Sequence, residues 1–106
     1  MQNKQEGGDK FVLRLFVSGA SPLSAKAVSN IKAVCEEHLA GRYELEIIDV
    51  RQQPLLAKTE DLVVLPMLLK KEPSPVRRLV GDLSNTARVL SCLGINTSYD
   101  GSETGN

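Results

Sequence analysis

The sequence predicts a single α/β domain with the element order βαβαββα, and three stretches carry that prediction. FVLRLFV at 11–17 is apolar almost throughout, as a strand covered on both faces by other elements would be. A capped helical pattern follows, and then YELEIIDV, so that strand, helix and strand form a right-handed unit with parallel strands. The third stretch, LVVLPMLLKKEPSPVRRLVGD at 62–82, holds two β-rich runs joined by a proline turn. A last helix comes after it.

Taken in order, residues 1–9 (MQNKQEGGD) are polar and predict a mobile tail ahead of a domain at 10–95. On the first strand, Phe11, Leu13, Leu15 and Val17 share one face, and Val12, Arg14 and Phe16 the other. Ser21 is placed to cap a helix that has Pro22 at its first position, where the missing N–H costs nothing. That helix reads to about residue 40, with Leu23, Ala27, Ile31, Val34, Cys35 and His38 inward at helical spacing and Gly41 as its left-handed stop. In the second strand, 43–50, Tyr43, Leu45 and Ile47 alternate against Glu44 and Glu46, and Asp49 caps the next turn. Pro54 opens the short helix PLLAKTED. Pro66 cannot donate to a ladder and belongs at a strand's first residue or at an edge. Residues 67–71 and 77–80 pair as a hairpin around Pro73 and Pro75. Asp82 or Ser84 caps the final helix, 85–95, which turns Leu83, Ala87, Leu90 and Leu93 inward. Residues 96–106 (NTSYDGSETGN) predict a disordered tail. In one sheet, this order is a thioredoxin-like sandwich.

Composition narrows the function. With 25% charged residues, 42% hydrophobic residues and a formal net charge of zero, bulk electrostatics favour neither nucleic acid nor an anionic membrane. No apolar run approaches the ~20 residues of a membrane span, and no signal-peptide core is present, so the expected location is the cytoplasm. Cys35 and Cys92 form no C-x-x-C pair and read as buried hydrophobes. His38 is the only histidine, which leaves a metal site or a Cys–His nucleophile little to build on. No metal or cofactor is expected.

Four blocks carry a family resemblance: F-V-L-R-L-F-V-S-G-A-S-P-L-S, Y-E-L-E-I-I-D-V with R-Q-Q-P-L-L-A behind it, V-L-P-M-L, and P-S-P-V-R-R-L-V-G-D-L-S. In this order and spacing the chain resembles the KaiB circadian-clock proteins, as a divergent paralogue. The resemblance implies a non-enzymatic regulator that binds a KaiC-type hexameric ATPase, with KaiA or a SasA-type histidine kinase as further partners. It also implies a second packing, βαββααβ, in which the C-terminal half refolds and the free protein is a dimer or tetramer. The proline-rich stretch lies in the refolding half, so Pro66, Pro73 and Pro75 are its candidate switch residues. The chain departs from the common family pattern at Glu46 and Asp61, where lysines are usual. It departs again in the last helix, where the family's Gly and Asp are replaced by Cys92 and Gly94.

The candidate partner-binding residues are Arg14, Phe16, Arg51, Lys58, Arg77 and Arg78, because arginines and aromatics dominate interface hot spots. The rival reading is a thiol-disulfide oxidoreductase, which the fold class alone would suggest. That chemistry needs a thiolate on the loop after the first strand, at a helix N-terminus. The loop here is Ser18-Gly19-Ala20-Ser21-Pro22 and holds no cysteine. A binding module for a different partner, such as a sensor domain separated from its kinase, is the remaining alternative.

Overall fold

The computed structural model describes residues 10–19, 21–59 and 65–95. Its elements are β1 (Phe11–Val17), α1 (Pro22–His38), β2 (Tyr43–Asp49), α2 (Pro54–Thr59), β3 (Met67–Glu72), β4 (Arg77–Val80) and α3 (Thr86–Leu93), the order the sequence predicts. They form a four-stranded sheet of order β2-β1-β3-β4. β1 runs parallel to β2 and antiparallel to β3, and β3 and β4 form the hairpin. The expected tails at 1–9 and 96–106, and Asp61, lie outside the described residues.

The alternation in β1 divides the core as expected. Phe11, Leu13, Leu15 and Val17 pack with Ala27, Ile31, Val34 and Cys35 of α1 and with Val89, Leu90 and Leu93 of α3. Phe16 lies on the other face, where it packs with Ile48, Met67 and Leu69. The register sets rows across the sheet. Ile48, Phe16, Met67 and Val80 form one row, and Glu46, Arg14, Leu69 and Arg78 form the next on the same face. Leu45, Leu13, Lys70 and Arg77 form a row on the helix-covered face. A register shift between Val12 and Leu13 leaves Lys71 as the extra residue of β3.

Several details differ from the sequence reading. Leu23 is exposed and Ser24 is buried in its place. Ser24 N–H donates to the Ser21 hydroxyl, and Ser24 Oγ accepts from Ser18 N–H, so this turn of α1 is tied to the loop before it. Helix α1 ends at His38, short of residue 40, with Leu39 buried behind it and Gly41 at φ 78° just beyond. Ile47, an edge-strand residue, is 37% exposed, whereas Ile48 is fully enclosed. The cap of α3 is Asn85, whose side chain accepts from Arg88 N–H; Asp82 instead accepts from Ser84 N–H. That cap sets the helix phase, so Ala87 faces solvent and Val89 the core. Gly94 closes α3 in the left-handed region at φ 78°. Among the described residues Leu83 is the non-glycine residue at positive φ (63°), and its side chain lies in the core.

Candidate interaction surface

The end of the sheet where parallel strands hand over to helices holds a closed knot. Asp49 Oδ1 accepts from Gly19 N–H at 3.2 Å and from Arg51 N–H at 2.9 Å. Arg51 folds back over this loop. A β-carbon on Gly19 would lie 2.5 Å from Arg51 Nη2 and would push the guanidinium aside, and the φ of 59° at this position is itself one that glycine adopts at no steric cost. Asp49 therefore caps its turn as expected and also fastens the β1–α1 loop to the β2–α2 turn. Pro66, fully buried, sits before the first residue of β3 and its carbonyl accepts from Gly81 N–H at 3.0 Å. The peptide bonds ahead of Pro66, Pro73 and Pro75 are cis.

Neither thiol is near this loop. Both cysteines are free and buried on helices. Burial, with Glu36 adding to it, pushes the Cys35 thiol up to about 11. Burial also raises the Cys92 thiol, although Lys70 and Arg77 act in the opposite direction. Among the described residues no cluster of three or more His, Cys, Asp or Glu side chains could hold a metal ion, and no helix is long and apolar enough to cross a membrane.

The structure sorts the predicted surface residues into three places. Arg14 and Arg78 share a row on one sheet face, with Leu69 between them, and Arg14 Nε lies 3.4 Å from Glu46 Oε1. Arg77 points to the opposite face of β4, the one covered by α3. Arg51 lies in the turn leading to α2 and pairs with Asp49 at 3.8 Å, and Lys58 is exposed in the last turn of α2. Phe16 is a correction. It is 0% exposed inside the second core cluster, so in this packing it supports the face that carries Arg14 and Arg78 and cannot touch a partner.

Two basic residues escape a sequence reading. Lys70 is 2% exposed although its neighbour Lys71 is half-buried at the bulge. Arg88 faces β4 from the first turns of α3. Lys70 could have been found from strand alternation, since it falls in phase with Leu68; Arg88 could not, because its phase depends on the Asn85 cap.

These features define a thioredoxin-like domain whose loop after β1 is fastened by Asp49 and Arg51 and carries no cysteine. The KaiB domain model matches residues 14–95. The chain is 45% identical over 87 residues to the circadian clock protein KaiB3 of Synechocystis sp. (82% of this chain, 85% of the relative). It is 39% identical over 90 residues to the circadian clock oscillator protein KaiB of Gloeothece citriformis (85% and 83%). The chain belongs to the KaiB family. Among solved structures it is similar to the N-terminal domain of Synechococcus elongatus SasA, with a TM-score of 0.67 and 28% identity over 92% of this chain and 96% of that one. A chloroplastic thioredoxin z shares the fold (TM-score 0.68, 22% identity, 81% of this chain and 77% of that one).

Proposed function

We propose that this KaiB-family protein is a non-enzymatic regulator that binds a KaiC-type hexameric ATPase and modulates its cycle. The observation that carries the reading is a KaiB-family chain whose fold is similar to that of the SasA N-terminal domain over 92% of its length. A shared packing gives KaiB-type and SasA-type proteins the means to compete for one docking surface. A fastened loop and two buried thiols held protonated support a binding role over redox chemistry.

Arg14 and Arg78 on one sheet face, Arg77 on the other face of β4, and Arg51 and Lys58 at the turn into α2 and on it, are the proposed contacts. Their spread over three places suits a broad, shallow interface rather than a pocket. KaiA or a SasA-type kinase would act at or beside this complex. In the free protein we place a dimer or tetramer in the βαββααβ packing, with Pro66, Pro73 and Pro75 inside the segment that exchanges. Two packings of one chain need differ by only a few kcal/mol.

Size-exclusion chromatography with light scattering tests this, on the protein alone and with its own organism's KaiC-type ATPase plus nucleotide. The expected result is an oligomer that converts to a ring-bound monomer over hours. A protein that never joins the ring would assign the fold to another partner.

A further inference from the structure

A groove of about 210 Å³ lies between β4 and α3, lined by Arg77, Arg78 and Leu79 from the strand and by Arg88, Ser91 and Cys92 from the helix. Lys70 lies next to it, directly opposite Arg77 in the hairpin and 2% exposed. Like charges facing each other across a ladder are destabilising, and an ammonium buried without a counter-charge is costly. Yet among the described residues no carboxylate pairs with Lys70, Arg77 or Arg88. A smaller cavity shares Leu79 and Arg88 with the groove and contains Asp82, but that carboxylate accepts from Ser84 N–H. The end of α3 offers Lys70 some relief. Lys70 Nζ is 3.8 Å from where a β-carbon on Gly94 would stand, at the C-terminal end of the helix. A helix terminus supplies only about half a charge, set here against three whole cations.

We propose that this groove is an oxyanion site that takes a phosphoryl group. Arg77 and Arg88 grip its oxygens from the strand and the helix, Ser91 adds a hydroxyl donor, and Lys70 supplies positive charge from beneath. Guanidinium groups suit this role because their planar forks match phosphate oxygens two at a time. The volume is below the ~300–1,000 Å³ of pockets that engulf an organic ligand, so the site holds the phosphoryl group and leaves any remainder outside. Arg77 serves both this site and the partner contacts proposed above, whereas Arg88 belongs to this site alone, so an Arg88 variant tests the site without touching the partner reading.

The test is amide NMR on the ¹⁵N-labelled full chain, titrated with sodium phosphate and, at matched ionic strength, with sodium chloride. Saturable shifts at Leu79, Ser91 and Cys92 with phosphate alone are expected. Arg88→Gln, an exposed change that keeps helix propensity, should weaken phosphate binding about tenfold. A parallel titration with ATP distinguishes the sources: tighter saturation than phosphate assigns the site to a nucleotide's phosphate tail, and weaker saturation to the free ion. Shifts that chloride reproduces, shifts spread over the whole surface, or an Arg88→Gln variant that binds phosphate unchanged would overturn the assignment.

Discussion

Replacing Gly94 tests whether Lys70 lacks a counter-charge. Gly94 sits at φ 78°, where a side chain costs about 1 kcal/mol, so Gly94→Ala should lower stability by that amount. Gly94→Asp has a similar backbone cost, eased because aspartate tolerates this region better than alanine. Its carboxylate would extend from a β-carbon 3.8 Å from Lys70 Nζ and so come within ion-pairing distance. At ~4 Å and an effective dielectric near 20 the attraction is about 4 kcal/mol before desolvation and lost side-chain freedom are subtracted. Position 94 is exposed, so most of that is screened, and about 1–2 kcal/mol should remain. The aspartate variant should therefore be about 1–2 kcal/mol more stable than the alanine variant, a gap of roughly 4–8 °C in Tm per kcal/mol for a domain of this size. In a Lys70→Met background the gap should close, which makes thermal unfolding of the four proteins a double-mutant cycle. Equal Tm values for the two variants beside Lys70, or a gap that persists beside Met, would refute the reasoning. The substitution also restores the residue the family resemblance leads one to expect at this position.

Arg77→Ala with Arg78→Ala should weaken binding to the KaiC-type ATPase while thermal unfolding moves little, because both residues are exposed on a short strand; unchanged affinity by biolayer interferometry would remove them from the interface. Phe16→Ala should cost about 3–5 kcal/mol in urea unfolding, as a fully enclosed aromatic in a small cluster, and a cost below about 1 kcal/mol would mean the cluster does not hold this face together. Alkaline pH should destabilise the fold. Cys35 ionises near 9 when unfolded and near 11 when folded, so its contribution is complete below about pH 9 and is lost as pH rises towards 11. Urea midpoints at pH 8 and pH 10 should show the fall, and Cys35→Ala should flatten it; an equally steep fall in the variant would assign the effect to other groups.

The strands were legible because each carries its own period. β1 alternates without interruption, and its two faces could be listed residue by residue from FVLRLFV alone. Helix phase was harder to read, since one polar cap residue rotates everything after it. The Ser21–Ser24 contact turns Leu23 outward, and Asn85 does the same to Ala87. The positive φ of Leu83 follows from the loop that must join β4 to α3, with Asn30 Nδ2 of α1 donating to the Asp82 carbonyl across 2.8 Å. No local pattern encodes that. For the surface, the sequence named the arginines but could not say which share a face. Register decided it, placing Arg14 and Arg78 in one row with Leu69 between them, and Arg77 directly opposite Lys70.

The strand order has an electrical consequence that a net charge of zero conceals. One edge of the sheet presents Glu44 and Glu46 on β2, and the other presents Arg77 and Arg78 on β4. Three inter-strand spacings, about 14 Å, separate them. That exceeds the screening length of physiological salt, about 8 Å. A body approaching from the β4 side meets the exposed guanidinium of Arg77, whereas one approaching from the β2 side meets Glu44 and Glu46 already paired with Lys10 and Arg14. The two edges of one neutral chain are thus distinguishable by charge, one offering a cation and the other carboxylates whose charge is already shared.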